Sequence, residues 1–365
     1  MVDASMSAAE LDEYAATIGD FARRRLPEPT VARPGVPRDH APAREQWRGL
    51  AVELGAAGLL VPTEYGGEGA GLIEAGRVAE ALGAELATLP YLAAGVLAPT
   101  LLRGLDSEPS RELLGRVAEG AVVTVAWAGT DPGSISGELR ASGGRATGQF
   151  HYAIDADLAD VVLLVGSDAV IAVPADQLQI TARATFDLTR GLCDVTATDA
   201  PGTLIAEGSQ VPQAFSDMLT AGRLALAADC AGGAQAALAL AVGYAKERIQ
   251  FGREIGSFQA VKHLLADAYV ASESAISVAR AAIAAHEADE PDAAQLTALA
   301  AFYPAEKYVE VAATGIQVHG GIGFTVERAA HLFRRRAESA RHLLGDPAAL
   351  KEQYVGVLAT EGDAA

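Results

Sequence analysis

Cysteine is nearly missing from this chain: 365 residues carry only Cys193 and Cys230. The two thiols show no metal-ligand spacing and cannot frame a disulfide scaffold, so both are expected to be small buried hydrophobes. Basic residues are in deficit, 28 against 47 acidic ones, for a formal net charge of −19 and a pI near 4.7. Such a balance repels nucleic-acid phosphates, and a nucleic-acid role would need a local basic patch. One basic run, Arg334-Arg335-Arg336, reads as a solvated or interface face of a helix. No apolar stretch of spanning length is free of charge or glycine, which argues against a membrane span. The amino terminus is acidic and polar, without the charged start and apolar run of an export signal, so a cytoplasmic location is expected. The histidines lack metal-ligand spacing, and no metal is expected. Ser134 and Ser136 have no partnered His and Asp, which excludes a nucleophilic triad.

Half of the residues are hydrophobic, so the chain is globular, and its length allows two or three domains. Residues 1–118 read as helices joined by proline and glycine loops. Helical spacing marks Leu11–Arg25, Ala43–Leu54, Ile73–Leu82, Tyr91–Gly104 and Glu112–Ala118, with a proline-rich loop over Pro27–Pro42. Over 119–210 the period shortens. Val122–Trp127 is β-branched, two apolar runs flank the hairpin signal Gly166-Ser167-Asp168, and Cys193–Thr198 alternates. Nothing helical separates these runs, so an antiparallel β-domain is expected. Residues 211–365 return to long helices. Leu224–Tyr244 is apolar on nearly every face, as in the buried member of a bundle. Further helices are predicted at Phe258–Ala288, Ala293–Gly315 and Thr325–Leu344.

Two clusters interrupt the last block. Glu247-Arg248-Ile249-Gln250-Phe251-Gly252-Arg253-Glu254-Ile255-Gly256-Ser257-Phe258-Gln259 sets a cation, an aromatic, a glycine turn and an amide between helices. Gln317-Val318-His319-Gly320-Gly321-Ile322-Gly323-Phe324 breaks the pattern again. With Leu54–Gly67 and the α-β-α order, these segments resemble the acyl-CoA dehydrogenase family over essentially the whole chain. The resemblance implies an α+β fold with an N-terminal helical domain, a middle antiparallel β-domain and a C-terminal four-helix bundle. It also implies FAD as cofactor and the introduction of an α,β double bond into an acyl-CoA thioester. Arg248 and Phe251 would reach the adenosine-diphosphate half of a neighbouring subunit's cofactor, a planar guanidinium being suited to pyrophosphate oxygens. Gln259, Gln317 and the backbone at Gly320 and Gly321 would approach the same cofactor, glycine letting the phosphates come close. In the middle domain Trp127 and Tyr152 stand where the family packs against the flavin ring, or they fill the sheet's core. Arg223 is a substrate-binding candidate. His319 reads as packed or solvent-facing.

The resemblance also exposes a gap. The family's catalytic carboxylate sits either in the loop after the last bundle helix, here Leu344, or before the arginine of the long buried helix, here Gly222. Neither residue can accept a proton. One reading lets Asp229 serve instead. It lies two turns from Gly222 on the same helical face, where desolvation would raise its pKa and its strength as a base. The displacement is about 10 Å, and the competing reading is a structural acid paired with an arginine. A second reading makes the chain one half of a heterotetramer whose homologous partner brings the glutamate, in place of a homo-oligomer. A third redirects the fold to a flavin-dependent monooxygenase. An electron acceptor such as electron-transfer flavoprotein would complete the dehydrogenase reading.

Overall fold

The computed structural model describes residues 6–26 and 40–362. Helix α1 (Ala8–Arg25) starts at Ser7, whose side chain and that of Glu10 cap each other's backbone N–H groups, and it buries Ile18, Gly19 and Ala22. The proline-rich stretch lies outside the described residues except for 40–42, which already belong to α2 (His40–Arg48). Pro42 suits that first turn because its missing N–H would have no helical partner there. The chain continues through α3 (Leu72–Ala84), a π-helical segment Tyr91–Leu97, α4 (Ala98–Leu105) and α5 (Glu108–Ala118).

Two four-stranded sheets follow. The first has the order β1 (Val123–Trp127), β4 (Val161–Val165), β5 (Ala169–Pro174), β8 (Thr203–Glu207). The second has the order β2 (Leu139–Ser142), β3 (Arg145–Ile154), β7 (Leu192–Pro201), β6 (Gln179–Ala182). The sheets are antiparallel apart from β1 and β4, which run parallel with Val123 opposite Val161 and Trp127 opposite Val165. The crossover that a parallel pair requires is supplied by the β2–β3 hairpin of the other sheet, so no helix is needed. Val123, Val125 and Trp127 of β1 face the helices, while Ala126 faces the second sheet. Burial on both sides explains the unbroken apolar run in this strand.

The last block is built on α6 (Gln210–Glu247), which packs with α7 (Gln259–Glu287), α9 (Tyr303–His319) and α10 (Ala330–Ala340). Among the described residues α6 alone is long and apolar enough to cross a membrane, but 67% of its most apolar window is buried inside the protein. Close packing uses glycine. A Cβ on Gly232 would lie 1.9 Å from the Glu80 carbonyl oxygen of α3, and one on Gly83 would lie 2.1 Å from the Asp229 carbonyl oxygen. The helix predicted at 293–315 is interrupted: α8 (Ala293–Ala300) stops, and α9 restarts with Pro304 in its first turn. Proline cannot donate inside a helix, and it is tolerated at a new start. The helix predicted at 325–344 shrinks to α10, and α11 (Pro347–Gly362) was not foreseen.

Candidate functional site

At one end of the bundle α6 hands over to a two-residue ribbon, β9 (Ile249–Gln250) and β10 (Arg253–Glu254). Its turn residues Phe251 and Gly252 have φ of 54° and 76°. Positive φ at both central positions matches the strand twist of a tight hairpin. Phe251 is 93% exposed, Arg248 is exposed at the end of α6, and Gln259 opens α7. The second cluster reaches the same end. His319 stacks on Tyr244 with ring centroids 4.4 Å apart and an interplanar angle of 17°, and the Arg248 N–H donates to the Tyr244 carbonyl at 2.9 Å. Val318 shares an apolar cluster with Ala241 and Ala245. Gln317 is exposed on the last turn of α9, and a Cβ on Gly320 or Gly321 would meet nothing within 4 Å. His319 is buried; its Nδ1–H donates to the Gly315 carbonyl at 2.7 Å, and its Nε2 has no hydrogen-bond partner among the described residues. The two signature segments are therefore held together, with Arg248, Gln259 and Gln317 exposed and His319 packed between them and the helices.

Trp127 and Tyr152 have different surroundings. Trp127 is buried, meets Phe215 edge-on at 5.8 Å and donates Nε1–H to the Asp131 carbonyl, so it fills the core. Tyr152, with φ of 61°, stands on the wall of an open groove of about 760 Å³ between the second sheet and α10. The Arg183 guanidinium lies 4.3 Å above its ring. Arg183 Nε also donates to Asp194 Oδ1 at 2.8 Å, an oxygen shared with His151 Nδ1. Burial pushes the Asp194 carboxyl up, but these two partners outweigh it and hold it below the ordinary value. Arg183, Asp194 and His151 went unnoticed in the sequence because they come from separate places in the sheet, Arg183 just after β6, Asp194 on β7 and His151 on β3.

Gly222 and Leu344 lie together. A Cβ on Gly222 would sit 3.0 Å from Leu344 Cδ1 and 2.4 Å from Leu97 Cδ2. Arg223 is next to them and donates its Nε–H to the Leu344 carbonyl at 2.9 Å. Burial holds the Arg223 guanidinium below its usual range, with Asp131 opposing.

Asp229 is not an elevated base. Arg336 contacts both of its carboxylate oxygens, Nη2 to Oδ2 at 2.5 Å and Nε to Oδ1 at 3.2 Å, and Arg190 reaches Oδ1 at 3.2 Å. Burial would raise this carboxyl, but the charges of Arg336 and then Arg190 reverse the shift and hold it low. The raised pKa expected of a base weighed burial without the arginines, and the competing reading, a structural acid paired with an arginine, is the arrangement present. Reading Arg334-Arg335-Arg336 as one solvated face is corrected as well. Arg336 is 3% exposed and also donates to Thr189 Oγ1 and the Ala87 carbonyl, tying the three blocks together. A cavity of only about 20 Å³ remains beside this cluster.

Family models for the acyl-CoA dehydrogenase N-terminal domain and C-terminal domain match residues 8–121 and 212–354. The acyl-CoA dehydrogenase IpdE2 of Mycolicibacterium smegmatis is 33% identical over 82% of this chain and 84% of its own length. The chain belongs to the acyl-CoA dehydrogenase family. Among solved structures, the ChsE4-ChsE5 complex from Mycobacterium tuberculosis matches with a TM-score of 0.81 at 26% identity, covering 98% of this chain and 99% of that one. A variant of the Tcur3481-Tcur3483 steroid ACAD gives the same TM-score, identity and coverage. The family makes this chain a relative of flavoprotein oxidoreductases acting on CH–CH groups. Among the described residues no group of three or more His, Cys, Asp or Glu could hold a metal ion.

Proposed function

We propose that this chain is the base-lacking subunit of a heteromeric FAD-dependent acyl-CoA dehydrogenase, in which a homologous partner supplies the catalytic glutamate. The carrying observation is the apolar meeting of Gly222, Leu344 and Leu97. On the reading that makes Gly222 and Leu344 the two family positions for the carboxylate, the positions lie side by side and neither side chain can accept a proton. Removing a proton alpha to a thioester needs a base within hydrogen-bond reach of that carbon. Asp229 cannot substitute, because its oxygens are engaged by Arg336 and Arg190.

The bundle end fits one half of a dinucleotide. The Arg248 guanidinium is exposed and makes no hydrogen bond or ion pair among the described residues. A Cβ at Gly320 or Gly321 would meet open space, and His319 Nε2 is a buried atom without a hydrogen-bond partner among the described residues. Arg248 would hold pyrophosphate oxygens, Phe251 would pack on the adenosine side, and Gln259 and Gln317 would add amide contacts. When bound, FAD supplies the hydride acceptor. Ile249, Phe251, Phe324 and Val326 are exposed beside these groups, which suits a face covered on assembly. The names of the relatives make a steroid-derived acyl-CoA the substrate to test first, with an electron-transfer flavoprotein as acceptor.

The test is purification of the chain alone and with a glutamate-bearing homologue, followed by flavin quantitation and turnover of an acyl-CoA. The expected result is little flavin and no turnover for the chain alone, and both for the mixture. A yellow homo-oligomer that turns over by itself would overturn the proposal.

A further inference from the structure

Two aromatic residues at the bundle end occupy positions where the local backbone favours other residue types. Phe251 has a φ of 54° in the turn of the β9–β10 ribbon, a conformation that costs an L side chain and that glycine, asparagine or aspartate usually fills. Phe258 is the N-cap of α7 and makes no side-chain cap hydrogen bond, where serine, threonine, aspartate or asparagine would satisfy a free N–H. The two rings meet, with centroids 6.2 Å apart and planes at 85°. The Arg253 guanidinium lies 4.0 Å above the Phe258 ring. The backbone leading to Phe258 is fixed against α6. The Ile255 N–H donates to the Arg248 carbonyl at 2.8 Å, and the Phe258 N–H donates to the Ile255 carbonyl at 3.1 Å. A Cβ on Gly256, between them, would lie 2.9 Å from the Ala245 carbonyl oxygen.

A side chain 93% exposed, as Phe251 is, ordinarily divides its time among rotamers. Fixing such a ring on binding costs entropy, and a ring already held in place avoids part of that cost. A perpendicular aromatic pair is an attractive geometry, because the edge of one ring meets the face of the other. Residue choices that go against the local backbone preference concentrate at functional positions. We infer that Phe258, with Arg253 stacked on it, is a positioning residue that holds the Phe251 ring in place for the adenine of a bound dinucleotide. This rests on the reading of Phe251 as the adenosine contact, and it goes further. Phe258 and Arg253 act through Phe251 and touch no part of the ligand themselves.

Titration of the assembled protein with FAD tests this, the dissociation constant being the readout. Phe258→Ala should weaken FAD binding about three- to tenfold. Phe258→Tyr should keep the wild-type affinity, whereas Phe258→Leu, which fills similar space without a ring, should not. In a Phe251→Ala background, Phe258→Ala should add nothing, because the ring it positions is gone. Should the alanine variant not fold, the tyrosine and leucine variants decide the matter. Wild-type affinity in Phe258→Leu would overturn the inference, and so would a Phe258→Ala effect that persists without Phe251, since Phe258 would then only support the ribbon. Failure of the underlying reading looks different. If Phe251→Ala binds FAD as wild type does, or if the wild-type assembly takes up none, the adenosine contact falls and the inference with it. If Phe251→Ala weakens FAD while Phe258→Ala and Phe258→Leu do not, the positioning role alone is lost.

Discussion

Arg336 of α10 grips Asp229 of α6 at two points inside the protein, Nη2 to Oδ2 at 2.5 Å and Nε to Oδ1 at 3.2 Å. Both side chains are nearly dry, 4% and 11% exposed. Arg190 completes the cluster from the loop before β7. Such a pair adds little stability compared with a well-packed apolar core, but losing one partner strands the other charge.

Asp229→Asn should therefore destabilise the chain at neutral pH by about 3–5 kcal/mol. The sign with pH follows from the arginines, which hold the folded carboxyl below its ordinary value. A depressed folded pKa contributes stability above the unfolded value of about 3.9, and that share is lost as pH falls through the folded value. Urea midpoints measured from pH 7 down to pH 3 should show the gap between wild type and variant narrowing below about pH 4. A gap that stays constant over that range would contradict the assigned ion pair.

Glycines of α6 should divide into two classes. Gly232→Ala would drive a Cβ to within 1.9 Å of the Glu80 carbonyl oxygen, so α3 and α6 must separate. Overpacking of this kind costs about 1–3 kcal/mol. Gly243→Ala on the same helix meets nothing within 4 Å, and it should stabilise by about 0.5–1 kcal/mol through helix propensity. Thermal denaturation of the two variants should move in opposite directions. Shifts of the same sign would mean that the α3–α6 contact is not as close as described.

The features legible in the sequence were local ones. Apolar period and composition marked α1, α3, α6 and α7, and the signature around Arg248 announced the turn that joins α6 to α7. Pairings distant in sequence were not legible. Arg334, Arg335 and Arg336 look alike in a run, yet they point in different directions on a helix, and Arg336 alone is buried. Only the fold brings Asp229, Arg190 and Arg336 together: the sequence admits an arginine-paired structural acid at Asp229 but does not name the arginines. The parallel β1–β4 pair was hidden because its crossover is another sheet's hairpin. His151 and Asp194 likewise meet only when β3 and β7 pair, and Arg183 joins them only when β6 pairs with β7.

Both thiols should be silent in the folded chain. Cys193 and Cys230 are 0% exposed, and burial pushes the Cys230 thiol well above its ordinary pKa, with Asp229 adding to the shift. Reaction needs the thiolate and access to it. Titration with Ellman's reagent should detect no fast thiol in native buffer and two in guanidinium chloride. A thiol modified within seconds under native conditions would be inconsistent with the α6 core.

Arg248→Ala should lower the flavin retained by the assembled protein while leaving the chain's own melting temperature unchanged. The guanidinium is exposed and makes no hydrogen bond or ion pair among the described residues, so the fold does not depend on it. If it binds pyrophosphate, its loss removes charge-assisted hydrogen bonds, enough to weaken retention about tenfold or more. Arg248→Lys keeps a point charge without the planar fork and should fall between the two. Gly321→Val offers an independent check, because a Cβ there meets nothing within 4 Å and the added methyls start into open space. Flavin absorbance per protomer together with a thermal melt separates the cases. Reduced flavin at a constant melting temperature identifies a contact beyond the chain. Full flavin in all three variants would remove the bundle end from the cofactor site.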